Sequence, residues 1–129
     1  MVGIVIVSHS WKIAEGVCDL AREMSSAKII PAGGLEDGSI GTDAARIVQA
    51  IKDANQGDGV AIIADIGSSI MSAEAAIEIL EDEGEEIHAE IADAPIVEGA
   101  ICAAVEAAGG GNLDSVLTSA EESKDASKL

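Results

Sequence analysis

Gly3-Ile4-Val5-Ile6-Val7-Ser8-His9-Ser10 is the stretch whose reading decides the fold. From Gly3 to Val7 no side chain is polar, and the four that follow the glycine are all β-branched. A continuous run of this kind marks a strand covered on both faces, as in a parallel sheet, since a half-open strand would alternate. Ser8-His9-Ser10 ends the run abruptly. Ile13, Val17, Leu20, Ala21 and Met24 then recur at helical spacing, so residues 11–24 read as an amphipathic helix.

The alternation continues outward. Lys28-Ile29-Ile30 reads as a short second strand closed by Pro31 and the turn signal Gly33-Gly34. A polar loop from Leu35 to Gly41 leads to Thr42, a good N-cap, and to a second helix striped by Ala44, Ile47, Val48 and Ile51. Val60-Ala61-Ile62-Ile63-Ala64 is a third buried strand that stops at Asp65. Gly67-Ser68-Ser69 opens a third helix carrying Ala73, Ala76, Ile77 and Leu80, and Glu81–Glu86 is a solvated acidic turn. Ile87, Ala89 and Ile91 alternate with His88 and Glu90, as expected of a half-exposed edge strand in which His88 is solvated beside Glu90. Pro95 suits the first turn of a fourth helix, carried by Val97, Ile101, Ala104, Val105 and Ala108 and broken at Gly109-Gly110-Gly111.

Four strand–helix pairs predict an α/β fold: an open, mainly parallel four-stranded sheet with helices on both faces, in the flavodoxin-like order 2-1-3-4. Residues 1–108 form this domain, and 109–129 are expected to be a polar tail or a weak helix near Leu113–Ser119. In such a sheet, ligands bind outside the carboxyl ends of the strands that flank the switch in strand order. Those ends are Ser8-His9-Ser10 and Asp65-Ile66-Gly67-Ser68-Ser69.

Composition narrows the function. The chain has 129 residues, 24 acidic against 7 basic, and a net charge of -17. That field repels phosphate backbones and anionic lipid surfaces, and Trp11 is the single aromatic residue, so nucleic-acid binding and membrane docking are disfavoured. A hydrophobic fraction of 48% excludes a disordered chain. No apolar run reaches the ~18 residues of a membrane span, and the N-terminus lacks the basic region of a signal peptide, so a cytoplasmic protein is expected. The acidic, lysine-poor composition resembles that of proteins from a salt-loaded cytoplasm, which makes a halophilic source an expectation. Cys18 and Cys102 lie in apolar helical patterns and read as buried small hydrophobes. Two histidines without clustered ligands predict no metal, and no cofactor is expected.

The chemistry converges on one point. His9 is loop-mounted at a strand end, and a neutral imidazole is a nucleophile. Asp65, ending the neighbouring strand, can accept the proton of one ring nitrogen and fix the tautomer. Gly67, Ser68 and Ser69 open a helix, where free amides and the dipole favour a phosphoryl group, and Ser10 beside His9 is a further candidate phosphate ligand. Nucleophile, orienting carboxylate and anion pocket together suggest a phosphohistidine site.

Val5-Ile6-Val7-Ser8-His9-Ser10, Gly41-Thr42-Asp43-Ala44 and Asp65-Ile66-Gly67-Ser68-Ser69 with Ser72-Ala73-Glu74 occur in an order that resembles the mannose-family enzyme IIA (EIIA) domains of the phosphotransferase system (PTS). More narrowly they resemble the phosphoryl-carrier subunits of dihydroxyacetone kinases that use phosphoenolpyruvate. The resemblance covers about residues 1–107. It implies that His9 takes a phosphoryl group from the carrier protein HPr and passes it to ADP in the nucleotide-binding subunit of the kinase. It further implies that Asp65 orients His9, that Ser68 and Ser69 hold phosphoryl oxygens, that Thr42 lines the rim, and that the chain forms a homodimer. Two alternatives stay open. One is the EIIA domain of a mannose-family sugar permease. The other is a non-catalytic signalling or ligand-binding module of the same topology. A receiver domain would need an acidic pair where Ser8-His9-Ser10 stands, and a flavin site would want aromatic flanks beyond Trp11.

Overall fold

A computed structural model describes all 129 residues. In chain order the elements are β1 (Gly3–Ser8), α1 (Trp11–Arg22), β2 (Ile29–Gly33), α2 (Ala44–Ala54), β3 (Val60–Ala64), α3 (Gly67–Asp82), β4 (Ala89–Ile91), α4 (Ile96–Ala108) and α5 (Leu113–Glu122). A short 3-10 turn follows at Ser123–Asp125. The four strands form one sheet in the order β2-β1-β3-β4, and every pair is parallel.

Side-chain alternation along β1 explains why helices lie on both faces. Ile4 and Ile6 enter one core with Ile63, α1, α4 and α5. Val5 and Val7 enter the other with Ile62, α2 and α3. Every residue of β1 and β3 is buried, which is what their unbroken apolar runs require. Covering each Ile or Val contributes about 1.5–3 kcal/mol, so the central pair of strands forms a rigid platform for whatever leaves its carboxyl end.

Local boundaries differ from the sequence expectation in instructive ways. β2 runs through Pro31 to Gly33, because an edge strand tolerates a missing N–H on its open side. The N-cap of α2 is Asp43, not Thr42: the Asp43 carboxylate accepts from the Ala45 amide at 2.9 Å. Pro95 stands at the cap of α4, one residue before its first turn. α3 continues to Asp82 and so takes in the start of the acidic run. Residues 113–122 form α5, whose Leu113, Val116 and Ala120 pack into the same core as Ala100, Ala103 and Ala107 of α4. Asn112 caps that helix through the Ser115 amide at 2.9 Å.

His88 is exposed and pairs with Glu90 at 3.3 Å. Cys18 is buried, and burial pushes its thiol up to about 11. Cys102 is only half-buried, at the margin of the α4 stripe formed by Gly99, Ala100 and Ala103. No helix is long and apolar enough to cross a membrane.

Candidate active site

β1 and β3 are neighbours, and the site forms where their carboxyl ends leave the sheet. The Asp65 amide donates to the Val7 carbonyl at 3.1 Å, extending the ladder by one step and setting Asp65 beside His9. The Asp65 carboxylate then receives four donors. On Oδ2 converge the Ser8 hydroxyl at 2.8 Å and the His9 amide at 3.0 Å. On Oδ1 converge the Ile66 amide at 2.7 Å and His9 Nδ1 at 3.0 Å. Side-chain exposure is 21% for His9 and 14% for Asp65, so the pair is shielded yet reachable.

Burial pushes the Asp65 carboxyl upward, but bonds from the His9 amide, the Ile66 amide and the Ser8 hydroxyl outweigh it. The carboxyl is held well below the usual carboxylate range. An ionised carboxylate can only accept, so Nδ1 of a neutral His9 must carry the ring proton. The lone pair is thereby assigned to Nε2. The Ser68 hydroxyl lies 2.5 Å from Nε2 and donates to it.

The remaining expected residues take different places. Ser10 caps α1, accepting from the Ile13 amide at 3.3 Å, and its own amide donates to Ser8 Oγ at 3.0 Å. Gly67 begins α3 in open space: a Cβ there would meet nothing within 4 Å. Ser69 is buried, and both its amide and its hydroxyl donate to the Ile66 carbonyl, at 2.9 and 2.6 Å. It shapes the turn and does not face outward. Thr42 meets Ser72 hydroxyl to hydroxyl at 2.6 Å, fastening the start of α2 to α3. The site loop is held from the other side by Gly41, whose amide donates to the His9 carbonyl at 2.9 Å with φ at 149°, a conformation open chiefly to glycine. His9, Asp65 and Ser68 are thus brought together, while Ser10, Ser69 and Thr42 hold backbone in place.

Two residues at this site, Ser8 and Ser72, stand in the quoted motifs but receive no role from the sequence. A signal for Ser8 exists: it is the one hydroxyl closing a strand buried on both faces, and a buried hydroxyl needs a partner. Ser72 is marked only by its place in Ser72-Ala73-Glu74, and its role is not readable there because its partner Thr42 lies 30 residues away on another element. No cluster of three potential metal-ligating side chains is present.

The family EIIA-man, described as PTS system fructose IIA component, matches residues 3–117. The PEP-dependent dihydroxyacetone kinase 2 phosphoryl donor subunit DhaM of Listeria innocua is 45% identical over 108 residues, which is 82% of this chain and 86% of that protein. The Escherichia coli K12 DhaM is 42% identical over 99% of this chain, but the chain spans only 28% of that longer protein. Among solved structures, a protein described as of unknown function matches with a TM-score of 0.80 and 32% identity, covering 100% of this chain and 98% of that one. On this likeness in sequence and fold, the chain belongs to the mannose-type EIIA family of the phosphotransferase system, in the branch of the DhaM phosphoryl donor subunits.

Proposed function

We propose that this protein is a phosphohistidine carrier: His9 accepts a phosphoryl group from HPr and delivers it to ADP bound in the nucleotide-binding subunit of a dihydroxyacetone kinase. The observation that carries the reading is the four-donor clamp on Asp65, which leaves Nε2 as the free nucleophile of His9. The Nε2 lone pair attacks the donor's phosphorus in line. The new N–P bond forms as the donor's N–P bond breaks, and the donor ring recovers its lone pair. The Nδ1 proton stays on His9, where the Asp65 charge faces the positive charge developing on the ring. In the second step a β-phosphate oxygen of ADP attacks the same phosphorus, and Nε2 leaves with its electron pair. Asp65 is a positioning group in both steps.

Phosphoryl transfer asks a protein for placement and charge more than for covalent chemistry. Ser68 turns its hydroxyl from Nε2 to a phosphoryl oxygen as phosphorus approaches, which frees the lone pair for attack. α3 is open at its N-terminus, since its cap residue Ile66 makes no side-chain bond, and its first amides supply further donors. Protein partners are supported by the surroundings. Ile40 and Ile66, at 71% and 64% exposure, sit in the loops beside Gly41 and Asp65, and Met71, at 70%, lies in the second turn of α3. Relatives named as phosphoryl donor subunits of dihydroxyacetone kinase support the same acceptor. The family's own description as a fructose IIA component keeps a sugar-permease partner as the second reading.

The test is transfer of labelled phosphate from phosphoenolpyruvate through purified enzyme I and HPr. Wild type should acquire an acid-labile, base-stable label, and His9→Ala none. The nucleotide-binding kinase subunit with ADP should then discharge it. A label that survives this discharge but is lost to permease subunits selects the second reading, and an unlabelled wild type removes the carrier role.

A further inference from the structure

We infer that Ser8 is a positioning residue whose hydroxyl aims the Asp65 carboxylate and thereby decides which nitrogen of His9 carries the proton. The kinetic half of this inference rests on the carrier reading above; the tautomer half does not. Ser8 is the last residue of β1, and it and Ser69 are the two buried polar residues of the chain. Its hydroxyl donates to Asp65 Oδ2 at 2.8 Å and accepts from the Ser10 amide at 3.0 Å. The second bond matters for the first. With the Ser10 amide occupying a lone pair of Oγ, the hydroxyl proton is directed to the carboxylate. Ser10 in turn caps α1, so one oxygen ties the helix start to the orienting carboxylate.

The two carboxylate oxygens have matching partners. Each receives one backbone amide, from His9 on Oδ2 and from Ile66 on Oδ1, and one side-chain donor. The backbone amides alone locate the carboxylate with a single contact on each oxygen. Ser8 supplies the fourth bond, on Oδ2 while the imidazole is on Oδ1, and so opposes rotation that would carry Oδ1 away from Nδ1. Without it the Nδ1 bond at 3.0 Å loosens, and the neutral ring shifts its proton toward Nε2, where it can donate to Ser68 or water. A ring protonated at Nε2 presents no lone pair at that nitrogen to phosphorus.

The test compares Ser8→Thr, Ser8→Val and Ser8→Ala in the full chain with wild type. Thr and Val have nearly the same shape, so their difference isolates the hydroxyl. The first readout is the ¹⁵N ring spectrum of His9 at a pH where the imidazole is neutral, which reports the tautomer and needs no phosphoryl donor. The second is the rate of uptake from phosphorylated HPr. Val and Ala should move the ring proton toward Nε2 and slow uptake about tenfold, the scale of one hydrogen bond to a charged group. Thr should restore both. If the added methyl crowds β1, Thr and Val will lose stability alike, and the smaller Ala then decides. An Ala variant with a native amide spectrum, wild-type tautomer and wild-type uptake overturns the inference. A shifted tautomer with no uptake in any protein, wild type included, would uphold Ser8 while removing the carrier reading.

Discussion

Asp65→Asn is the substitution that probes the site most directly, because it changes one oxygen to NH₂ and almost no volume. The carboxylate accepts four hydrogen bonds, two on each oxygen. Each oxygen faces one backbone amide, and a backbone N–H cannot become an acceptor. The asparagine NH₂ therefore meets a donor whichever way it is flipped. Placed at Oδ2 it opposes the His9 amide; placed at Oδ1 it opposes the Ile66 amide and donates to His9 Nδ1, driving the ring proton to Nε2. Losing one charge-assisted bond in this half-shielded place should lower folding stability by about 1.5–3 kcal/mol at neutral pH. Phosphoryl uptake should fall by on the order of 10²–10⁴, by analogy with loss of the orienting aspartate in serine proteases. The stability gap has a defined pH dependence. Asp65 titrates lower in the folded chain than in the unfolded one, so its contribution is complete above the ordinary carboxylate value near 4. It declines as pH falls below that and through the depressed folded value, closing the gap from the acid side. Urea unfolding of both proteins between pH 7 and pH 2, with uptake rates at pH 7, measures all three quantities. Uptake by Asp65→Asn within threefold of wild type would refute the orienting role, and a gap that widened toward acid would refute the clamp.

Two glycines predict opposite outcomes for the same change. Gly3→Ala places a Cβ 2.1 Å from the Ala54 carbonyl oxygen, a backbone atom that cannot yield, and should cost about 1–3 kcal/mol. Gly16→Ala, in the exposed middle of α1 with nothing within 4 Å of the new atom, should stabilise by about 0.5–1 kcal/mol. Thermal or urea midpoints moving the same way for both would contradict the packing described. The net charge of -17 should destabilise the compact chain in dilute buffer. The urea midpoint is expected to rise on going to molar sodium chloride, and an unchanged midpoint would show that self-repulsion is unimportant here.

The fold was legible because its strands are short runs of one chemical kind. Gly3–Val7 and Val60–Ala64 are apolar without interruption, and that continuity can be satisfied only in the interior of a parallel sheet. The core face of α5 was harder to read. Leu113, Val116 and Ala120 are three apolar residues in a polar segment, and they matter only because α4 offers them an alanine-rich surface. At the site, His9 and Asp65 were legible from position at two strand ends. The roles of Thr42 and Ser69 were not, since a hydroxyl near a helix start reads the same whether it caps, clasps a neighbour or faces a ligand.

By itself, then, the sequence determined the order of elements, the parallel sheet and the meeting of His9 with Asp65, because hydrophobic periodicity and chain connectivity act locally and leave few topologies. Only the tertiary structure decided which hydroxyls point inward, which oxygen of Asp65 faces which donor, and hence which nitrogen of His9 is free. Those are matters of angles and of a few tenths of an ångström between residues up to 59 positions apart, such as His9 and Ser68. Hydrogen bonds form or fail at that scale, and residue spacing along the chain carries no information about it.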